Sequence, residues 1–121
     1  MNIKINTKEK FSVVTPEEQL ISANMSDELI LKLEEFLQQD IPHVILCLTS
    51  VENIDQISID KILTIQNNFY QHNASFVICE VHQNIISSFK KSCNITPTES
   101  EAWDIIQMEE IERELMNDMD S

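Results

Sequence analysis

An α/β domain is the fold class this chain predicts: one mixed central sheet of about 4–6 strands with helices packed on it. Three observations carry that expectation. Val44–Leu48 and the Phe-Val-Ile-Cys run at Phe76–Cys79 are continuous apolar stretches of strand length, the pattern of strands buried on both faces. Between them, Ile59, Ile62, Leu63, Phe69 and Tyr70 recur at helical spacing. At 121 residues, 42% hydrophobic and 24% charged, the chain has the size and balance of a single domain that buries its core without disulfides or metal.

The elements follow in order. Lys4–Asn6 and Phe11–Thr15 read as a first strand pair about a polar turn of Lys8, Glu9 and Lys10. Pro16 then interrupts the ladder, and Gln19–Ile21 is a further short strand or the continuation of an edge, where proline is tolerated. Ser26 reads as an N-cap, with Asp27 and Glu28 suited to the first-turn dipole and Met25 and Ile30 placed as a hydrophobic staple. The helix runs to about Gln39 with Leu29, Ile30, Leu33, Phe36 and Leu37 as its buried stripe, and it must stop before Pro42. Val44–Leu48 is the central strand. The segment after it is a short surface loop ending at the N-terminus of the second helix, a place where open α/β sheets carry function.

Past the second helix, Gln71-His72-Asn73-Ala74 is a polar turn into the strand Ser75–Val81. Ile85, Ile86, Phe89 and Cys93 give a short amphipathic helix with Lys90 and Lys91 on its outer side, and Ile95-Thr96-Pro97 is a last short strand. Thr98 and Glu101 form a Thr-x-x-Glu capping box that opens a long helix through Ile105, Met108, Ile111, Glu112 and Leu115. Met108, Ile111, Leu115 and Met119 carry its apolar stripe past the end expected of a domain this size. The domain is therefore placed at residues 1–117, with 118–121 as a frayed tail; the stripe packs on the sheet, or is covered by a partner or by a second copy in a homodimer.

Composition narrows the function. Eight Lys plus Arg against 21 Asp plus Glu give a formal charge of −13, which opposes nucleic acid and anionic membrane as partners. Much of the excess lies in Glu99–Asp120, where Arg113 is the sole basic residue, the composition of a solvated helix face. No apolar run reaches membrane-span length and Met1–Lys10 has no hydrophobic signal region, so the expected location is cytoplasmic. Cys47, Cys79 and Cys93 are an odd number without a CxxC pair and read as reduced core residues. His43, His72 and His82 share no helical face, so no metal site is assigned. Glycine is absent, which excludes the phosphate-cradling loops of nucleotide enzymes, and no cofactor is expected. Asp55 with His82, or Cys79 with His82, supply residue types for acid/base or thiol chemistry. Neither pair comes with a nucleophile, base and orienting group at readable spacing, and no catalytic residue is assigned.

From Val44 to Asp55 and onward, the order of elements and the local residues resemble the STAS family, the domain of the bacterial anti-sigma factor antagonists. The resemblance covers nearly the whole chain. In that family a buried strand leads to an Asp-Ser-Ser-Gly-Leu signature that opens a helix; here the place reads Asp55-Gln56-Ile57-Ser58-Ile59. Ser75–Cys79, Ile85–Cys93, Ile95–Trp103, Glu17–Leu20 and Met108–Leu115 also match pieces of the small stand-alone members.

The resemblance implies a single STAS-like, non-enzymatic regulatory domain of the anti-sigma factor antagonist type. Its partner would be an anti-sigma factor or serine-kinase-like protein, bound through the loop Asp55, Gln56, Ile57 and Ser58 and the outward face of the second helix, with Lys61 and Thr64 beside Asp60, Asn67 and Asn68. In the family the second serine of the signature is phosphorylated by a partner kinase, and the charge breaks the complex. Ile57 holds that place, Gln56 replaces the first serine, and Ser58 stands where glycine is expected. An isoleucine has no hydroxyl, so the switch cannot operate at residue 57.

Three readings of the loop stay open. Asp55 caps the helix, Ile57 packs under the loop and Ser58 satisfies an early helical amide; or partner binding persists without phospho-control; or the acceptor has moved to Ser58, where a helix N-terminus favours phosphate although the side chain is turned by about 100°. Two alternatives to the antagonist role are a small-ligand or nucleotide-sensing module and a scaffold with a different protein partner. Seven lysines, one arginine and no glycine make the first electrostatically poor for phosphate.

Overall fold

The computed structural model describes residues 1–89 and 93–120, with side chains up to Met116. The expected placements of Lys90 and Lys91, the side chain of Met119 and the tail side chains lie outside that description. The elements are β1 (Ile3–Thr7), β2 (Ser12–Pro16), β3 (Leu20–Ile21), α1 (Ala23–Glu35) with a 3-10 turn at Phe36–Gln38, β4 (Val44–Cys47), β5 (Asn53–Ile54), α2 (Gln56–Gln71), β6 (Phe76–Cys79), α3 (Gln83–Ile86), β7 (Ile95–Thr96) and α4 (Glu99–Asp120).

Five strands form a mixed sheet in the order β1-β2-β4-β6-β7, which puts Val44–Cys47 at its centre as its apolar sequence requires. β1 and β2 pair antiparallel through a turn closed by Lys8 N donating to Phe11 O, and the other neighbours pair parallel, as strands separated by helices do. Side chains alternate between the two faces of each strand. Val14, Val44, Leu46, Phe76 and Ile78 point to the layer of α1 and α2, where they meet Leu29, Leu33, Ile59, Ile62, Ile65 and Phe69. Val13, Ile45, Cys47, Val77 and Cys79 point the other way and are covered by Ala102 and Ile106 of α4, with Phe11 stacked on Trp103 at 4.8 Å. The result is a sheet between two helical layers.

Four local expectations are corrected. Pro16 does not interrupt the ladder: it ends β2 opposite Ile3, where a missing amide leaves no gap inside the strand. The segment after β4 is not loop throughout, because β5 pairs parallel with β3 in a separate two-stranded sheet, Leu20 opposite Asn53 and Ile21 opposite Ile54. Ser26 is not the N-cap of α1; the helix starts at Ala23, and Ser26 is buried within it, its hydroxyl donating to Ala23 O at 2.8 Å. Ile57 does not pack under the loop, as one of the three readings had it, but is 57% exposed. α4 keeps the forward half of its capping box, Glu101 N donating to Thr98 Oγ1 at 3.2 Å.

Side chains of α4 tie it to the last turn of α2 and to the N-terminal ends of β4 and β6. Tyr70 donates its hydroxyl to Glu109 at 2.9 Å, Arg113 Nη2 donates to Ser75 Oγ at 3.0 Å, and His43 is hydrogen-bonded to Glu110 while its Nδ1 accepts from Ser75 N. Burial and the adjacent Glu109 carboxylate push the Tyr70 phenol well above its usual value. On its outer side Met108, Ile111, Leu115 and Met116 are exposed.

Candidate docking site at the starts of two helices

The β3–β5 pairing explains the site. Because Ile21 lies opposite Ile54, the next residues of both chains leave the small sheet side by side, and the chains become α1 and α2 there. Asp55 is the N-cap of α2 in extended conformation. Its Oδ1 accepts from Ser58 N at 2.9 Å and from Ser58 Oγ at 2.7 Å, while its Oδ2 accepts from Ala23 N at 2.7 Å. One carboxylate thus satisfies amides at the starts of both helices, groups that have no partner inside a helix. This also explains why α1 begins three residues ahead of Ser26: the amide of Ala23 is capped from another element. The Ser58 hydroxyl, then the Ser58 and Ala23 amides and Lys61, hold the Asp55 carboxyl below its ordinary value, because each stabilises the ionised form.

The four loop residues separate into two roles. Asp55 and Ser58 are structural in their contacts: Ser58 is fully buried and its hydroxyl is given to Asp55, so a phosphate there would require the first turn of α2 to open. Gln56 and Ile57 face outward, Gln56 donating to Asp60 Oδ1 at 3.0 Å. Of the helix-face residues, Thr64 is exposed and Lys61 is half-buried, its ammonium paired with Asp27 of α1.

A groove of about 290 Å³ runs between α1 and α2. It brings together Ile57, Lys61, Thr64 and Asn68 from α2 with Ile30 and Glu34 from α1. Ile30 and Glu34 carry no sequence signal for this surface: Ile30 reads as part of the core stripe, and nothing local tells that α1 lies beside α2. Asp55 and Ser58 do not line the groove; they fasten the starts of the two helices to one another through Ala23 N.

On the opposite face, at the C-terminal ends of β4 and β6, Cys47, Cys79 and Glu80 place their ligating atoms within 4.8 Å of one another. His82 Nδ1 accepts from Asn84 N at 3.2 Å and caps α3. Among the described residues, no helix is long and apolar enough to cross a membrane.

The family model described as STAS domain matches residues 2–102. No curated protein sequence matches the chain. Among solved structures, a putative anti-sigma factor antagonist from Thermotoga maritima is 18% identical with a TM-score of 0.74, the match covering 87% of this chain and 94% of that one. An anti-sigma-factor antagonist (STAS) domain protein from Planctomyces limnophilus is 15% identical with a TM-score of 0.72, over 86% of this chain and 96% of that one. The murine solute carrier 26 family member A9, an anion transporter, is similar over 82% of this chain but 18% of its own, at 12% identity and a TM-score of 0.68. At these identities the likeness is one of fold.

Proposed function

The chain belongs to the STAS domain family, and from that premise we propose that it is a non-enzymatic, cytoplasmic regulator of the anti-sigma factor antagonist type, acting as one domain over residues 1–117. It docks a protein partner, an anti-sigma factor or a serine-kinase-like protein, on the groove between α1 and α2. The observation that carries this reading is Ile57. At 57% exposure on the first turn of α2, it presents a large apolar side chain at the rim of a groove, at the place where the family signature has its second serine. Lys61 and Thr64 supply polar contacts beside it. An apolar anchor with a polar rim suits protein docking better than phosphate binding, for which the groove offers Lys61 against Glu34 and Asp60.

The phosphoserine switch is absent in this reading. Residue 57 has no hydroxyl, and the hydroxyl next to it in the loop, on Ser58, is held by Asp55. The complex is then set by the abundance of the two proteins and not by a charge added at the interface.

The test is affinity capture of the tagged chain from the lysate of its own cells, alongside Ile57→Glu and Lys61→Glu. Recovery of a sigma-regulating protein or kinase-like ATPase with the wild type, lost with both variants, supports the reading. A partner retained by both variants places the docking surface elsewhere.

A further inference from the structure

We propose that Cys47, Cys79 and Glu80 form a binding site for a thiophilic divalent cation of the zinc class. The sheet itself brings the ligands together. Cys47 ends β4 and Cys79 ends β6, and the two are paired opposite one another in parallel register, so both thiols project from the same face of adjacent strands. Both are buried, at 5% and 0% exposure, beneath Ala102 and Ile106 of α4. Glu80 follows at the strand end, and its side chain turns back so that Cys47 Sγ donates to Glu80 Oε2 at 3.0 Å.

Three features fit a cation and not a simple core. Two buried thiols alone pack as ordinary core, but here a carboxylate meets them, Glu80 accepting from Cys47 Sγ. Glu80 holds φ at 56°, the left-handed region that a side chain with a Cβ enters at a cost of about 1–2 kcal/mol. That conformation belongs to the residue whose carboxylate meets the thiol. The spacing is also right: with metal–sulfur bonds of about 2.3 Å and metal–oxygen bonds of about 2.1 Å, ligands of one tetrahedral ion stand about 3.6–3.8 Å apart. The three donor atoms lie within 4.8 Å of one another, with Cys47 Sγ and Glu80 Oε2 at 3.0 Å, so the set brackets that spacing. Glu80 is exposed, giving the ion an entry path and leaving a fourth position for solvent.

Binding is a proton-for-metal exchange without redox change. Two metal–sulfur bonds and one metal–oxygen bond form, both thiol protons pass to solvent, and the ion loses the water molecules that these ligands replace. The site sits on the α4 side of the sheet, away from the groove, so it stands or falls independently of the docking reading.

The experiment is a titration of the reduced full-length chain with Cd²⁺, followed by the thiolate-to-cadmium charge-transfer absorption in the ultraviolet, with Zn²⁺ as competitor. One equivalent should saturate the band, and an excess of Zn²⁺ should reverse it, because thiolates favour the softer cadmium. Cys47→Ser and Cys79→Ser should each abolish saturation at one equivalent, Cys93→Ser should leave it intact, and Glu80→Gln should weaken binding by about tenfold or more. Glu80 is exposed, so this last variant keeps its fold and tests the site even where a cysteine variant does not. A missing band with several equivalents of Cd²⁺, a band that persists in the Cys47→Ser/Cys79→Ser double variant, or equal affinity in Glu80→Gln overturns the proposal.

Discussion

Asp55 accepts hydrogen bonds from residues on two helices, so its removal reaches further than the loss of an ordinary cap. Asp55→Ala should lower Tm by several degrees and Asp55→Asn by less, since an amide oxygen still caps. The pH dependence follows from the depressed folded-state value of this carboxyl. Stabilisation by the ionised form is fully present above the ordinary value of 3.8 and is lost as pH falls through the lower folded one. The Tm gap between wild type and Asp55→Asn, measured by calorimetry from pH 7 downward, should therefore hold steady to about pH 4 and narrow below it. A gap that widens in acid would contradict the assignment. The cap of α2 was legible, because Asp55 stands three residues before Ser58. Its bond to Ala23, 32 residues away, was not, since no local pattern encodes a cap supplied by another element. Ser26-Asp27-Glu28 misled for the same reason: they are good helix-start residues in a helix already started.

Among the elements, α1 and α2 combine a buried side that holds the fold with an outer side free for contact. Ile62 is fully buried between α2 and the sheet, and Ile62→Ala should cost about 2–5 kcal/mol in denaturant unfolding. Ile57→Glu, on the outer side, should change stability by less than about 0.5 kcal/mol while breaking the proposed complex. The two substitutions separate folding from docking. On α4, Ile111 and Leu115 are 57% and 58% exposed, so Ile111→Lys with Leu115→Lys should leave Tm unchanged in a monomer. Sedimentation of wild type and variant tells whether a second copy covers that face: only then does the mass fall. Long periodic segments and apolar strand runs were readable because each is set by its own residues. β5 was not, because two residues carry no period, and it exists through its pairing with β3.

Across the whole molecule, 21 acidic residues against 8 basic ones work against compaction, with Glu99–Asp120 the densest stretch. Raising the salt from about 0.01 M to about 0.5 M should therefore raise Tm, as the screening length falls from about 30 Å to well under 10 Å. A flat or falling Tm would mean that attractive pairs such as Lys61–Asp27 outweigh the repulsion. The class of fold and its central strand were legible from two apolar runs and the helices between them; which helix lies beside which was not, and the groove depends on that adjacency. The shared carboxylate of Asp55 has a consequence in time. The amides of Ala23 and Ser58 are fastened to the same side chain, so neither is released without a disturbance that reaches the other. In deuterated water the two should show matching protection relative to their intrinsic exchange rates, as parts of one opening event, although one belongs to the first helix and the other to the second.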